Sequence, residues 1–322
     1  MENTPNPANW ERTVLEKLAT EALGEQKRAR RTRTVLSVLW LLFLAFVFIT
    51  VAGGLSGKRE ASSTEKHTAL VELKGVISAD SKASGDKVIS ALQAAFKDKN
   101  TVGVVLRINS PGGSPVQAGY INDEIKRLRA KYKDIPLYVV VQDICASGGY
   151  YIAVAADKIY VDKASIVGSI GVLMDGFGFT GTMDKLGVER RLITAGANKG
   201  FLDPFSPVNP EQQKYAQQMV GEIHRQFIGV VKQGRGKRLK ETPDMFSGLV
   251  WSGEKSIELG LADGLGSLDS VARDVVKAEQ IVDFTAEESF SEQLARRFGT
   301  TAAESFFNGM FSSSALNRAA VR

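Results

Sequence analysis

Residues 35–52 run for eighteen positions without a charged side chain, and that run constrains everything around it. At 1.5 Å per residue, eighteen helical residues span about 27 Å, which with residues 53–55 approaches a hydrocarbon core about 30 Å thick. A helix in a globular core normally keeps a polar face, and this run has none. Lys27, Arg28, Arg30, Arg31 and Arg33 precede it, while Lys58, Arg59 and Glu60 come after it. The positive-inside rule therefore predicts a cytoplasmic N-terminal arm, residues 1–34, and an extracytoplasmic chain after about residue 56. The run exceeds the 7–15 apolar residues usual in a cleaved leader, which favours a retained transmembrane anchor at 35–55. In the arm, Trp10, Val14, Leu15, Leu18 and Ala22 recur at helical spacing.

Of the 322 residues 43% are hydrophobic and 24% charged, which excludes a disordered, collagen-like or coiled-coil chain. The net charge is +5, but five basic residues fall between Gln26 and Thr34 with no acid among them. So local an excess does not describe a nucleic-acid surface. Cys145 is the single cysteine, which rules out an internal disulfide framework and a cysteine-based metal site. The only histidines are His67 and His224. No cofactor or metal is expected.

Residues 56–66 are polar and read as a linker. Beyond them strands alternate with helices. Strands are predicted at 70–77, 102–108, 137–141, 158–161 and 190–194, and helices at 88–96, 116–132, 149–156, 209–231, 252–260 and 268–277. Strands separated by helices of ten or more residues imply crossovers and a largely parallel sheet. Their unbroken apolar character fits a sheet covered on both faces. In the helix at 209–231 the apolar stripe is Tyr215, Met219, Ile223, Phe227 and Val230. The folded domain is placed at 67–285, with a tail at 286–322.

Ligands of such sheets bind at the carboxyl ends of strands. Two glycine turns fall there: Asn-Ser-Pro-Gly-Gly-Ser at 109–114 and Cys-Ala-Ser-Gly-Gly at 145–149. The second leads into a helix with Ser147 at its start, and the N–H groups of Gly148 and of Gly112 or Gly113 could together receive an oxyanion. Spacing alone leaves Ser147 open to a plain role as helix cap, and Pro-Gly-Gly to one as tight turn. Cys145 reads as a small buried hydrophobe. A serine nucleophile needs a base. His67 precedes the first strand and His224 falls off the apolar stripe, in a solvated position, so a Ser-His-Asp triad is not expected. A lysine serves as base when its pKa falls from about 10.4 to roughly 7–8, which burial or a nearby cation achieves. Lys199, in a glycine-punctuated loop, is one of many lysines that sequence alone cannot choose among.

From about residue 70 to 283 the chain resembles signal peptide peptidases of the SppA (protease IV) type, in their short single-unit form. The resemblance rests on five ordered stretches: Arg-Ile-Asn-Ser-Pro-Gly-Gly-Ser at 107–114, Cys-Ala-Ser-Gly-Gly-Tyr-Tyr at 145–151, Val-Gly-Ser-Ile-Gly at 167–171, Lys-Gly at 199–200 and Gly-Leu-Ala-Asp at 260–263. It implies an α/β fold of the ClpP/crotonase type and a membrane-anchored serine endopeptidase with a Ser/Lys dyad. By position Ser147 would be the nucleophile, Lys199 the general base and Ser169 the residue orienting it, with Gly113 and Gly148 donating to the oxyanion. It further implies a homo-oligomer in a bacterial inner membrane, its catalytic part periplasmic, acting on remnant signal peptides and other unfolded segments. A related membrane peptidase with another substrate shares this chemistry. A crotonase-type acyl-CoA enzyme would use the same oxyanion hole, but CoA is cytoplasmic.

Overall fold

The computed structural model describes residues 7–55 and 65–286. They divide into two units, one holding the first helix and one holding everything from residue 65 onward. In the first unit α1 (Pro7–Leu55) is continuous over 49 residues, with Val14, Leu18 and residues 35–46 exposed. The side chains of Trp10, Leu15, Ala22 and residues 47–55 lie outside those described, as do residues 56–64 of the predicted linker and 287–322 of the predicted tail. Among the described residues no helix is long and apolar enough to cross a membrane.

The second unit is an eight-stranded mixed α/β sheet with crossover helices. Its strands are β1 (His67–Lys74), β2 (Thr101–Ser110), β3 (Leu137–Ala146), β4 (Lys158–Val161), β5 (Ile166–Gly168), β6 (Val250–Ser252), β7 (Gly264–Leu265) and β8 (Ile281–Asp283). The main path runs β6-β5-β3-β2-β1-β8, and β4 branches from β3 to carry β7. All pairings are parallel except β5 with β6. The crossovers are α2 (Gly85–Lys97) between β1 and β2, and α3 (Pro115–Lys131) between β2 and β3. Parallel neighbours cannot be joined by a tight turn, so each needs such a helix. Proline at the first helical position and Ser114, whose hydroxyl accepts from the Gln117 N–H, start α3 sharply.

Alternation along β2 sends Val104, Leu106 and Ile108 into the main core against α2 and α3, while Val105 joins Val140, Val271 and Val276 on the opposite face. Burial on both faces is why these strands read as unbroken apolar runs. β1 begins three residues earlier than predicted, and its first residue, His67, is fully buried. The His67 ring stacks on Phe284, and its Nδ1 bonds the Glu65 carbonyl.

What positions the site is a fork in β3. Tyr138–Val140 pair with β4, whereas Ile144–Ala146 pair with β5. Between them the register with β2 slips, from Ile108 opposite Val141 to Ser110 opposite Cys145. The surplus residues, Gln142 and Asp143, face solvent. Such a bulge bends a strand and re-aims the residues beyond it. Here it turns Cys145 and Ala146 from the side of β4 to that of β5, and the chain runs on through Ser147 into α4 (Gly148–Ala153).

Other predicted elements differ as well, the helix expected at 268–277 being an α turn at Leu268–Ser270 followed by a π-helix at Val271–Val276. Residues 190–194 form no strand; they are exposed without a ladder partner, in a long segment that contains only α5 (Thr180–Leu186). In α6 (Pro210–Arg235) the buried face is Ala216, Phe227, Val231 and Arg235, while Tyr215 is exposed. The helix packs a few residues round from the predicted stripe because a charged residue, Arg235, sits on its inner face. Arg235 donates to both carboxyl oxygens of Asp263 and to the Gly260 carbonyl. Asp263 also accepts the Ile159 N–H, and the Tyr150 hydroxyl donates to the Leu261 carbonyl. The Gly-Leu-Ala-Asp stretch after α7 (Gly253–Glu258) is thus a structural clamp that ties α6 and α4 to β4.

Burial pushes the Asp263 carboxyl up, but the Arg235 guanidinium beside it more than reverses this, leaving it below the usual carboxylate range. A carboxyl depressed on folding contributes stability above its unfolded pKa of about 4 and loses it as pH falls through the folded value. Asp263→Asn should therefore destabilise the fold by about 3–5 kcal/mol near neutral pH, because it strands a buried guanidinium. It should also flatten the loss of stability below about pH 4. Urea denaturation of both proteins across pH checks this, and a difference under about 1 kcal/mol would contradict the clamp.

Candidate active site

The first glycine turn leaves β2 at Ser110. Its hydroxyl donates to the Gly75 carbonyl at 2.7 Å and accepts the Gly112 N–H at 3.1 Å. Ile77 N–H donates to the Gly112 carbonyl, and Ser114 N–H donates to the Ile77 carbonyl, each at 2.8 Å. Gly112 and Gly113 stand at φ +102° and +145°, a region L side chains rarely enter. A Cβ on Gly113 would overlap the Ile77 backbone. These bonds hold the peptide on both sides of Gly113, whose own N–H has no acceptor among the described residues.

The second turn leaves β3 at Ala146. Ser147 takes φ 50°, ψ −120°, a strained conformation for a residue with a Cβ. Its N–H donates to the Gly168 carbonyl at 2.9 Å, and its carbonyl accepts the Tyr151 N–H. The hydroxyl makes no cap bond to α4, so the side chain is not a helix cap; it is half-buried. The two turns meet. A Cβ on Gly112 would stand 2.7 Å from the Gly148 nitrogen and from the Ser147 Cβ, and one on Gly148 would stand 3.3 Å from the Gly113 nitrogen. Gly148 opens α4, so its N–H has no intrahelical acceptor. Two backbone donors, Gly113 and Gly148, thus lie beside one hydroxyl.

Ser169 arrives through sheet pairing. Ala146 is opposite Gly168, so Ser147 and Ser169 each come directly after a paired residue on neighbouring strands. Gly168 (φ +118°) and Ser169 (φ +51°) are both left-handed, and Ser169 N–H donates to the Leu249 carbonyl at 2.7 Å. A Cβ on Gly168 would press on the Trp251 ring at 2.8 Å. Ser147, Ser169, Gly113 and Gly148 are therefore brought together.

Lys199 is not joined to them in the single chain. It lies in a turn closed by its own N–H to the Gly196 carbonyl, and its side chain is exposed with no hydrogen bond or ion pair among the described residues. Cys145 is fully buried, which pushes its thiol well up, so it offers no thiolate at neutral pH. His224 departs from its predicted solvated position: it is half-buried and its Nε2 lies 3.1 Å from the Ile170 carbonyl. Sequence reasoning missed three supports of the site, namely the Ser110 hydroxyl, Trp251 and His224. The first lies inside the 107–114 stretch; the other two had no local signal.

The model of peptidase family S49 matches residues 129–282, which contain Ser147, Ser169 and Lys199. A Brucella melitensis protein named Na(+)/H(+) antiporter NhaA is 48% identical over 182 residues, covering 56% of this chain and 25% of that protein. An Enterococcus faecium protein provisionally named signal peptide peptidase SppA is 32% identical over 197 residues, 61% of this chain and 57% of that protein. A Synechocystis protein provisionally named as a protease is 31% identical over 206 residues, 64% of this chain and 72% of that protein. The chain thus spans a quarter of the first of these relatives and just over half of the second.

The contact between the two turns makes Gly112→Ala a direct test. The variant should lose about 1–3 kcal/mol of stability through forced strain at φ +102° and overlap with Gly148. Urea unfolding measures it, and a loss under about 0.5 kcal/mol would show that the turns do not press together.

Proposed function

The chain belongs to peptidase family S49, and from that premise we propose that it is a membrane-anchored serine endopeptidase using a Ser147/Lys199 dyad. The observation that carries the reading is the strained Ser147, its hydroxyl unspent on the helix and flanked by the free amides of Gly113 and Gly148. Neutral Lys199 takes the Ser147 proton as Oγ bonds to the scissile carbonyl carbon. The carbonyl oxygen, now negative, accepts from the two amides, which oppose charge that exists only in the transition state and the tetrahedral intermediate. The lysine gives its proton to the leaving amine, and an acyl-serine remains. Water attacks that ester as Lys199 takes its proton, and when the intermediate collapses the lysine returns that proton to the Ser147 Oγ, which frees the peptide acid and restores both groups.

An exposed ammonium is a poor base, so the amine must shed water when the site is complete. The segment bearing it points to how. Leu173 is 80% exposed, Phe177 78%, Leu186 72% and Ile193 95%, an apolar load that a solvated loop rarely carries. A second copy seated on this segment would bury it and desolvate Lys199 in the same step. The reading therefore includes a homo-oligomer with active sites at its seams. Ser169, beside Ser147, would receive a hydrogen bond from the incoming amine and aim it.

Anchoring is supported by the uncharged run at 35–52 and the basic residues before it, and by the positive-inside rule these favour an extracytoplasmic catalytic part. Apolar unfolded segments at that membrane, remnant signal peptides among them, are the proposed substrates, in line with the name of the Enterococcus relative.

Cleavage of an unstructured peptide should fall by at least about a thousandfold in kcat for Ser147→Ala, and as far for Lys199→Ala, with folding unchanged. Full activity in either variant would overturn the corresponding assignment.

A further inference from the structure

His224 lies on α6, three and seven residues before Phe227 and Val231, which are buried in the core. Residues so spaced share a helix face, so the imidazole stands on the inward side of a firmly seated helix. It reaches across to the backbone: Nε2 lies 3.1 Å from the Ile170 carbonyl. A carbonyl only accepts, so this nitrogen carries the proton and donates.

The bond matters because of the turn it holds. Residues 168–171 contain two successive left-handed residues, Gly168 at φ +118° and Ser169 at φ +51°. Strain of this kind persists only where the surroundings over-determine the backbone. Three restraints are visible. The Leu249 carbonyl takes the Ser169 N–H at 2.7 Å, the Ser169 carbonyl takes the Gly171 N–H at 2.9 Å, and His224 holds the next carbonyl from α6. The same turn accepts the Ser147 N–H through the Gly168 carbonyl at 2.9 Å. Displacing the turn therefore moves the backbone that aims the Ser147 hydroxyl and carries Ser169 away with it.

We propose that His224 is a positioning residue: its Nε2–H bond to Ile170 locks the Gly168–Gly171 turn and thereby sets Ser147 and Ser169 for reaction. The imidazole neither touches substrate nor takes a proton in the reaction. This rests on the peptidase reading for its kinetic consequence but not for its structural one. The link is one half-buried hydrogen bond, so its loss should leave the fold standing and fall on catalytic geometry, where small displacements are amplified.

Two amides of different reach test it in the full-length chain. The His224→Gln amide nitrogen extends to the Nε2 position, whereas His224→Asn stops at that of Nδ1. With an internally quenched, unstructured apolar peptide, His224→Asn should lower kcat about tenfold, a barrier change of about 1.4 kcal/mol, with KM within about twofold. His224→Gln should retain at least about a third of wild-type kcat. Amide exchange in 147–151 and 168–171 should quicken about tenfold in His224→Asn and not in His224→Gln. A kcat for His224→Asn within twofold of wild type, or equal impairment in both variants, would overturn the proposal. Ser147→Ala run alongside keeps the two readings apart. Activity in that variant would sink the nucleophile, and the exchange comparison would still decide whether His224 holds the turn.

Discussion

The candidate site depends on one steric fact: two glycine turns from neighbouring parallel strands pack so closely that Gly112 of the first has no room for a side chain. Gly112 lies against Ser147 and Gly148, and Gly113 against Ile77. That contact has chemical consequences. Gly113 and Gly148 are left with unspent amides beside one hydroxyl, and the strain at Ser147 is held by the Gly168 carbonyl rather than relieved by capping α4. Such donors need no reorganisation when charge appears, which is where preorganised sites derive most of their effect.

The fork in β3 explains why the contact exists. A strand paired with β4 along its whole length would not set Ala146 opposite Gly168. The surplus residues Gln142 and Asp143 break the register, and the end of the strand finds β5 instead. The Arg235–Asp263 clamp then fixes α6 against the outer strands, and α6 presents His224 to the β5 turn. Scaffold and site are joined through hydrogen bonds to main-chain carbonyls more than through side-chain pairs.

Much of this was legible in the sequence, for physical reasons. Unbroken apolar runs revealed the parallel centre because both of its faces are covered. Glycines at the ends of β2 and β3 revealed the two turns because only glycine tolerates the approach. What was not legible depends on distance along the chain. The polar pair Gln142 and Asp143 reads as the end of the strand expected at 137–141, so the bulge and the continuation to Ala146 were hidden. The strand expected at 190–194 reflects an apolar pattern that the single chain leaves in solvent, as it does Phe177 and Ile193. His224 lies 54 residues from the carbonyl it reaches, so a helical wheel assigned it to water. Arg235 turned α6 because a charged residue was on its buried side, paired with an aspartate 28 positions on.

The central claim is that assembly brings an uncharged amine at Lys199 to the Ser147 hydroxyl. A structure of the full-length protein in its assembled state measures this directly. The account predicts Nζ within hydrogen-bond reach of Oγ, about 2.6–3.2 Å, in the same subunit or across a seam. A Lys199 side chain still in solvent in the assembled particle, with every Nζ well beyond that reach from every Ser147, would contradict it.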